Sequence, residues 1–472
     1  MTDARPVVVV DVDSLRPDHV GAYGHPLPTT PTVDRLAERG VTFGRAYAAS
    51  TPCIPSRAGL LTGRYAVHHG VATHGAEALT LHHPDAWAYE ERDGVDPREW
   101  QTLPEACYRA GVPTGAVSTF PRHPAPWFVR TWHRLEQPRE PPGERETFAT
   151  VRAEDAVDRA LSVLDDLAEA TASRTGAHGD GRFLLYLQLW DPHFPYRREP
   201  TARFRGGVDR HPHPTEEAIA AHGERSTPAG PDAVDVRDRS DLDRLLAQYD
   251  AEIRHADDEL GRLVEALERR DLLDPALVVV TGDHGEAFGE HGVYRHHWSV
   301  HEPTQRVPLV VKPPADEPRA AVDVDIDGPV TNVDVAPTVL DYLGVERPAR
   351  WQGRSLRPAI EGDRSPREAV VLEHGLQTAQ RAVVRDDWKL VRTLHPGEWS
   401  EHLPETALYD LGADPYEQEN VADEHPTVVA DLTETAAEWV RSAGAERLSD
   451  PLATVAERGP AGHRFRQWWT DR

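Results

Sequence analysis

The sequence predicts an α/β protein in which helices cover both faces of a large, mixed and mostly parallel sheet. Strand-like apolar runs alternate with helical patterns along most of the chain, as they do where helices connect parallel strands. Three aspartates, Asp13, Asp191 and Asp283, each fall just past one of these runs. Because the chemistry of such folds gathers at the carboxyl ends of the strands, we expect the functional site at this edge of the sheet.

The first strand is predicted from the β-branched run Val7–Val12, which has the continuous apolar character of a strand buried on both faces. Further apolar runs predict strands at 114–118, 183–189, 277–281 and 309–312. Helices are predicted between them, at 31–40, 56–62, 151–170 and 242–269. In the stretch 151–170 the apolar residues recur at the spacing of one helix face.

The pattern changes near residue 366, from long alternating elements to short strands followed by a terminal helix. The runs 369–373, 381–385 and 389–393 predict a small antiparallel sheet. We therefore divide the chain into a catalytic α/β domain over residues 1–365 and a C-terminal α+β subdomain over residues 366–472. The polar stretch 195–240, rich in His, Pro and Gly, predicts an excursion over the surface or the mouth of the site.

The composition argues against several classes of partner. The 472 residues carry 52 basic and 79 acidic side chains, a formal net charge of −27, and only two of the basic residues are lysines, Lys312 and Lys389. Such a surface repels nucleic acids and anionic membranes, so we expect neither as a partner. An acid-rich, lysine-poor surface is also expected of a salt-adapted (halophilic) or a GC-rich organism.

The two cysteines, Cys53 and Cys107, are too few for a disulfide scaffold or a multi-cysteine zinc site. No run approaches the ~20 apolar residues of a membrane span, and the first residues do not follow the pattern of a signal peptide. Taking Met1 as the start, we expect a cytoplasmic protein. Cys107 has no accompanying motif and is expected to be a small core residue.

Cys53 lies in the segment Thr-Pro-Cys-Ile-Pro-Ser-Arg, just before a predicted helix. The N–H groups of a helix start favour an anion, and Arg57 offers a cation that can bind an oxyanion through two donors. A lone Cys–Arg pair is more often a buried structural cysteine beside a surface arginine. The pair therefore needs support from other residues before it predicts catalysis.

Support for a functional site comes from the residues at the ends of two strands, which predict a divalent-metal site. Asp283 and His284 stand in the tight turn Thr-Gly-Asp-His-Gly after a buried strand, and Asp13 ends the first strand. Two carboxylates and an imidazole at neighbouring strand ends are suitable ligands for a divalent cation. Taken one at a time, strand-end aspartates are also common as helix caps and turn formers.

Together these segments resemble the formylglycine-dependent (type I) sulfatases of the alkaline phosphatase superfamily. The matching blocks come in family order from Val7 to Ala422, nearly the whole chain. Four of them read VVVVDVDSLRPDHVGAYG, TPCIPSRAGLLTGRYAVHHGV, VVVTGDHGEAFGEHG and LYDLGADPYEQENVA. The resemblance implies an alkaline-phosphatase-like fold and a hydrolase that cleaves sulfate esters.

For Cys53 the resemblance implies oxidation to formylglycine by a formylglycine-generating enzyme. The hydrated aldehyde carries two hydroxyls. One attacks sulfur and expels the alcohol, and loss of a proton from the other releases sulfate and restores the aldehyde. Arg57 would hold this residue and its oxyanion.

The metal ligands implied by the resemblance are Asp13, Asp283 and His284, together with the modified cysteine. Here the sequence departs from the family, because Ser14 follows Asp13 where a second acid is common, and His284 replaces a common asparagine. One carboxylate fewer and one imidazole more shift the expected ion from Ca²⁺ toward Mn²⁺. Ser14 and Asp11 are additional candidate ligands, although Asp11 is also interpreted as a buried acid that supports the ligands or as a polar strand residue.

The resemblance also suggests a general acid and two contacts to the substrate. His193 matches a family histidine that is a candidate general acid for the leaving alcohol. His74 stands where relatives place a polar residue facing the substrate, and Thr119 where they often have a lysine. The alternative for His193 and His74 is that each is an ordinary loop histidine.

His297 replaces a second lysine that is often catalytic in the family, so it is a candidate catalytic residue. It belongs to a run with His291, His296 and His301 that could instead form an independent zinc site. The spacing of this run is not the fixed short spacing that zinc sites usually have, which favours the catalytic interpretation.

We therefore expect a sulfuric ester hydrolase that acts on a small-molecule or carbohydrate sulfate ester. Its cofactors would be formylglycine and one divalent metal ion, Ca²⁺ or Mn²⁺, and the sequence is compatible with an oligomer. Ser14, Thr119 and His284 also motivate an alternative, a phosphonate monoester or phosphodiester hydrolase of the same superfamily. A second alternative is a chain whose Cys53 stays a thiol and which binds sulfated ligands without turnover.

Overall fold

The computed structural model describes residues 5–75, 78–81, 97–122, 125–139, 151–172, 181–196, 198–199, 202–223, 236–318, 328–362, 367–397, 403–445, 449–462 and 464. The strands in these ranges are β1 (Val7–Val12), β2 (Val41–Thr42), β3 (Ala46–Tyr47), β4 (Ser50–Thr51), β5 (Thr114–Val117), β6 (Arg134–Glu136), β7 (Leu184–Leu189), β8 (Leu277–Gly282), β9 (Ala287–Phe288), β10 (Tyr294–His296), β11 (Leu309–Lys312), β12 (Val330–Thr331), β13 (Ala369–His374), β14 (Ala379–Arg385), β15 (Trp388–His395) and β16 (Thr406–Asp410).

The α-helices of the same ranges are α1 (Pro31–Glu38), α2 (Cys53–Thr62), α3 (Ala66–His69), α4 (Leu103–Arg109), α5 (Ala153–Ala172), α6 (Glu216–Gly223), α7 (Arg239–Arg269), α8 (Glu302–Gln305), α9 (Val335–Tyr342), α10 (Arg357–Ile360), α11 (Pro426–Ala445) and α12 (Pro451–Arg458). No helix that the structure describes is both long and apolar enough to cross a membrane.

The large sheet is mixed and mostly parallel, which confirms the predicted fold class. Its strand order is β2-β11-β8-β1-β7-β5-β6. β1 lies at the centre, parallel to β7 and β8, and β11 and β2 complete one side in antiparallel pairing. A central strand has neighbours on both sides and helices on both faces, which is why β1 is a continuous run of valines interrupted only by Asp11.

Two hydrophobic cores lie on the two faces of this sheet. Val7 and Val9 belong to one core, together with apolar residues of α2 and α9. Val8 and Val10 belong to the other, together with the apolar faces of α5 and α7. The alternation of side chains along β1 thus distributes its valines between the two helical layers.

The predicted elements are present, with shifted ends. The strands predicted at 114–118, 183–189 and 277–281 each differ from β5, β7 and β8 by one residue at one end, and 309–312 coincides with β11. The helix predicted at 56–62 begins earlier, at Cys53, because a proline at the third position does not interrupt a first turn. The described part of the excursion 195–240 contains the helix α6.

The C-terminal sheet includes a strand that the sequence did not predict. Its order is β16-β15-β14-β13-β4, and the antiparallel pairs β13–β14 and β14–β15 match the predicted short strands. β4 joins its edge in parallel with β13, and β4 ends two residues before Cys53. The predicted boundary between residues 365 and 366 lies outside the described residues.

A buried carboxylate on α7 anchors the start of α1. Asp257 is 3% exposed and accepts hydrogen bonds from the backbone N–H groups of Thr32 (2.8 Å) and Val33 (2.9 Å). N–H groups in the first turn of a helix have no partner within that helix. Asp257 therefore satisfies two buried donors and joins two helices that cover the same face of the sheet.

We expect Asp257→Ala to lower the free energy of unfolding by about 2–4 kcal/mol, because each unsatisfied buried donor costs about 1–3 kcal/mol. Urea denaturation measures the loss. The matched control is Asp258→Ala, whose carboxylate is 54% exposed and pairs with Arg254 along the helix. A surface change of this kind should stay within about 0.5 kcal/mol, and equal losses in the two variants would contradict the anchoring role.

Candidate active site

The register of the large sheet brings two of the three strand-end aspartates, Asp13 and Asp283, to one edge. Val12 of β1 pairs with Leu189 on one side and with Gly282 on the other. The residues that follow β1 and β8 are Asp13 and Asp283, and both are fully buried. They therefore emerge side by side at the carboxyl ends of neighbouring strands, as predicted.

Asp191, the remaining strand-end aspartate, has a different role. Its Oδ2 accepts a hydrogen bond from the N–H of Ala153 at the first residue of α5 (2.8 Å), and Arg198 lies 3.6 Å from its other oxygen. This is the helix-cap alternative that applies to a strand-end aspartate. Among the described residues, no candidate metal-binding group includes Asp191.

Cys53 is the first residue of α2, and its thiol lies at the same edge. Its Sγ is 3.1 Å from Nε2 of His284, and the residue is only 3% exposed. Ser56 in the first turn donates to the carbonyl oxygen of Asp283, and Nδ2 of Asn332 donates to the Ser56 hydroxyl (2.9 Å). These buried hydrogen bonds fix the start of α2 against the turn after β8.

Arg57, one turn further along α2, neutralises three carboxylates only in part. Its Nε lies 2.7 Å from Asp11, and its Nη1 lies 3.0 Å from Asp13 and 2.7 Å from Asp283. All four side chains are completely buried. Three ionised carboxylates against one guanidinium would leave two uncompensated negative charges in the interior, which is costly without protons or a cation.

The pKa values of these carboxylates reflect this imbalance. Burial raises the pKa of Asp283 well above its usual value and raises that of Asp11, although Arg57 opposes both shifts. Burial acts on Asp13 in the same direction, but Arg57 and two nearby imidazoles outweigh it and hold the pKa of Asp13 at about 2. The site therefore retains protons that a divalent cation would displace.

The side chains that could hold such a cation are close together. One ligand atom from each of Asp13, Cys53, Asp283 and His284 lies within 4.8 Å of the others. Carboxylate oxygens suit both Ca²⁺ and Mn²⁺, and the one imidazole shifts the preference toward Mn²⁺. The donor set therefore fits the predicted metal.

His284 is oriented as a ligand. Its Nδ1 lies 2.8 Å from the carbonyl oxygen of Gly285, which can only accept, so the proton stays on Nδ1 and the Nε2 lone pair faces the Cys53 thiol. Burial lowers the pKa of His284 to about 4, which keeps the imidazole neutral. Neutral imidazole is the form that binds metal.

Of the two additional candidate ligands, Ser14 orients the carboxylates of Asp13 and Asp283, and Asp11 contacts Arg57 and Tyr186. Ser14 adopts a left-handed conformation (φ 59°), its N–H donates to Asp283 (3.0 Å) and its hydroxyl donates to Asp13 (3.0 Å). Asp11 accepts a hydrogen bond from the hydroxyl of Tyr186, in addition to its contact with the guanidinium. Neither belongs to a candidate metal-binding group in the described part of the chain.

His297 lies directly against His284. The two rings stack with their centroids 3.8 Å apart, and one ligand atom from each of Cys53, His284 and His297 lies within 4.8 Å of the others. His297 is 8% exposed, and burial lowers its pKa well below the usual value. It is therefore a neutral imidazole within reach of the candidate nucleophile.

The zinc alternative for the histidine run has no support within the described ranges. His291 stacks on His301 with centroids 3.7 Å apart, and His296 stacks on Trp298 at 3.8 Å. No candidate metal-binding group in those ranges contains His291, His296 or His301. Ring stacking accounts for these side chains.

His193 and His74 flank the site. His193 Nδ1 lies 2.5 Å from the carbonyl oxygen of Phe194 and its ring meets the edge of Trp190, so Nε2 is the nitrogen left for proton exchange. His74 Nε2 accepts a hydrogen bond from the N–H of Ile54 in the first turn of α2 (3.3 Å). Burial lowers the pKa of His74 to about 3, which keeps this acceptor unprotonated.

Thr119 is hydrogen-bonded to one of two aromatic residues, Phe120 and Trp190, that pack against Arg57. The sequence did not predict this aromatic packing. The Thr119 hydroxyl accepts a hydrogen bond from the indole nitrogen of Trp190, and the Arg57 guanidinium lies 5.6 Å from the Trp190 ring and 4.8 Å from the Phe120 ring. Tyr186 contributes indirectly, because its hydroxyl donates to Asp11, which in turn contacts Arg57. The available signal was the presence of Phe120 and Trp190 just past two predicted strands.

Comparison with known protein families identifies the chain. The family model described as Sulfatase matches residues 5–345, and a model described as N-sulphoglucosamine sulphohydrolase, C-terminal, matches residues 289–441. The first match spans well over half of the chain and contains every predicted site residue. The second covers most of the C-terminal sheet.

Individual relatives agree with this assignment. The N-acetylglucosamine-6-O-sulfatase of Bacteroides thetaiotaomicron is 25% identical over 88% of this chain and 82% of its own length. The protein BT4656, solved with its substrate D-glucosamine-2-N,6-O-disulfate, shares the fold with a TM-score of 0.68 at 20% identity, covering 95% of this chain and 99% of its own. The phosphonate monoester hydrolase of Agrobacterium radiobacter shares it with a TM-score of 0.66 at 20% identity, covering 95% and 97%.

Asp13 belongs to the candidate metal-binding group and Asp11 does not, so their substitution should affect metal binding differently. We expect Asp13→Asn to bind one equivalent of Mn²⁺ fewer than the wild type, because a ligand is lost, and Asp11→Asn to keep the wild-type number, because its carboxylate contacts Arg57 and Tyr186. Equilibrium dialysis with elemental analysis measures the stoichiometry. The same loss in both variants would make Asp11 a ligand and contradict this assignment.

Proposed function

This chain belongs to the sulfatase family of the alkaline phosphatase superfamily, and we propose that it hydrolyses sulfate esters at the site around Cys53. The observation that carries the proposal is the position of the Cys53 sulfur at the start of a buried helix, 3.1 Å from Nε2 of His284. Three carboxylates and the Arg57 guanidinium surround the same edge. A nucleophile, a cation site and a fixed arginine are what displacement at an anionic ester requires.

We propose two cofactors, formylglycine made from Cys53 and one divalent metal ion held by Asp13, Asp283 and His284. When present, the hydrated aldehyde would supply a hydroxyl nucleophile, and a metal held by these residues would lower the pKa of that hydroxyl and offset charge on the ester oxygens. The uncompensated carboxylate charge around Arg57 supports a cation here. A formylglycine-generating enzyme is the maturation partner that the modification requires.

The other roles fall to side chains of the chain itself. Arg57 is held by carboxylates on one side and aromatic rings on the other, so it keeps one orientation toward residue 53. His193, with Nδ1 held on a carbonyl, donates a proton from Nε2 to the leaving oxygen. His297 is neutral and within reach of residue 53, so it can accept a proton there and return it.

For the substrate we propose a small-molecule or carbohydrate sulfate ester. The relatives support this class, since one is named for a 6-O-sulfated amino sugar and a structural neighbour is solved with a disulfated glucosamine. His74 and Thr119 are proposed on the substrate side of the site. His74 reaches the first turn of α2, and Thr119 acts through Trp190, which packs on Arg57.

A second candidate is hydrolysis of phosphonate monoesters or phosphodiesters. Thr119 in place of a family lysine favours it, as does the fold shared with a phosphonate monoester hydrolase. The deciding measurement compares kcat/KM for an aryl sulfate and for the matching aryl phosphonate. We expect the sulfate to be preferred, and a large preference for the phosphonate would overturn the first proposal.

Substitution of Cys53 tests the nucleophile. We expect Cys53→Ala to abolish turnover and Cys53→Ser to leave at most a slow or single-turnover reaction, because the sulfate ester of an unmodified serine has no second hydroxyl that can expel sulfate. Intact-mass analysis of active wild-type protein should show a loss of about 18 Da relative to the cysteine form. Active protein that retains a free thiol at position 53 would refute the mechanism and favour a binder without turnover.

The matched control is Cys107→Ala. Cys107 is also fully buried but lies in the hydrophobic core, as the sequence predicted, and burial raises its pKa to about 12. This variant should keep turnover and should still show the loss of about 18 Da that conversion of one cysteine to formylglycine causes. All three cysteine variants are produced in a host that contains the maturing enzyme, so that missing maturation does not imitate a missing nucleophile.

Replacing His193 tests the general acid. We expect His193→Ala to slow hydrolysis of an alkyl sulfate about 10²–10⁴-fold and to change hydrolysis of a nitrophenyl sulfate little, because only the poor leaving group needs a proton. The kcat values of the two esters measure the difference. Equal slowing of both would show that His193 positions the substrate and does not protonate it.

A further inference from the structure

A second cluster of metal-binding side chain types lies next to the active site and shares no residue with it. One ligand atom from each of Asp18, His19 and His211 lies within 4.8 Å of the other two. Tyr249 stands between this cluster and the catalytic edge. Its hydroxyl donates to the carbonyl oxygen of Ser14 (2.6 Å), and its ring meets the edge of His19 with centroids 4.9 Å apart.

His19 is oriented in the way that protein-bound metal ions require of a histidine. Its Nδ1 lies 2.6 Å from a carboxylate oxygen of Asp250, and both side chains are 1% exposed. A carboxylate on one imidazole nitrogen fixes the tautomer and makes the other nitrogen a better ligand. That other nitrogen, Nε2, is buried and has no hydrogen-bond partner among the described residues.

The two other ligands approach from different elements. Asp18 is held by Arg16 through both carboxylate oxygens (2.9 and 2.6 Å), and each of these oxygens keeps a second lone pair. His211 comes from the excursion between β7 and α7, is 7% exposed, and stacks on His19 with centroids 5.1 Å apart.

The charge around the cluster favours a divalent cation. Arg16 pairs with Asp18 and with Glu290, and Asp250 is the third carboxylate. Three ionised carboxylates against one guanidinium leave an excess of two negative charges, which one divalent ion would balance.

His25 contacts both Asp250 and His19. Its Nε2 lies 3.5 Å from the second oxygen of Asp250, and its ring stacks on His19 with centroids 5.1 Å apart. Asp250 thus lies between the imidazoles of His19 and His25, and His19 is the one that lies close to Asp18 and His211. The cluster contains both ligands and the groups that orient them.

We propose that Asp18, His19 and His211 bind a first-row divalent transition-metal ion of the Zn²⁺ class, with Asp250 orienting His19. Two imidazoles and one carboxylate are a donor set that suits such ions. The ion would join the loop after β1 to the excursion 202–223 and, through Asp250, to α7. It would thereby brace the loop that leads from Asp13, without taking part in the reaction at Cys53.

The test counts Co²⁺ ions bound to the full-length protein by equilibrium dialysis with elemental analysis. We expect His211→Ala to bind one equivalent fewer than the wild type, whatever number of ions the catalytic site takes up. Asp18→Asn should show the same loss, and its side chain is 46% exposed, so it tests the proposal even if His211→Ala fails to fold. The matched control is His213→Ala, two residues further along the same excursion and outside both groups that contain His19.

The control should bind as many Co²⁺ ions as the wild type. A second readout is thermal unfolding, in which Co²⁺ should raise the unfolding temperature of the wild type and the control more than that of either ligand variant. Equal stoichiometry in the wild type and a folded ligand variant overturns the proposal. So does a loss in the control as large as the loss in the ligand variants.

Discussion

The site depends on one electrostatic constraint, the burial of three carboxylates around a single guanidinium. Arg57 contacts Asp11, Asp13 and Asp283, and none of the four side chains reaches solvent. An arrangement of this kind is stable only if every remaining polar atom is satisfied and the excess charge is neutralised. The hydrogen bonds from Ser14 and Tyr186, and the aromatic rings against the guanidinium, meet the first requirement. The cation proposed for this site would meet the second.

The constraint explains why two sheets meet at Cys53. The large sheet delivers the carboxylates, and α2 delivers both the thiol and the guanidinium that pairs with them. β4, directly before α2, is hydrogen-bonded to β13 of the C-terminal sheet. Thr51 in β4 is held by His374 (2.9 Å) and by Gln305 (2.7 Å). The C-terminal sheet therefore helps to position Cys53, although β13, β14, β15 and β16 all lie more than 300 positions after Cys53 in the sequence.

The scarcity of lysine has a consequence inside the site. At the two positions where the resemblance to sulfatases implies a lysine, this chain has His297 and Thr119. Burial lowers the pKa values of His284, His297 and His74, so these imidazoles are neutral and act as ligands, hydrogen-bond acceptors or proton carriers. Positive charge at the site then comes from Arg57 and from the proposed metal, a division of roles that an ammonium group at either position would change.

The sequence by itself determined the fold class, the order of the long elements and the residues at the strand ends. These follow from local properties: buried parallel strands are continuous apolar runs, helices repeat every three to four residues, and turns need particular residues. Asp13, Cys53, Arg57, Asp283 and His284 stand in such local motifs, and the structure brings them together. Only the tertiary structure decided the pairing of β4 with β13, the role of Ser14 and Tyr186 in orienting carboxylates, the helix cap at Asp191, and the cluster around His19. Those features join residues that are distant in the chain, and which distant residues meet depends on the packing of the whole molecule, on which a local pattern carries no information.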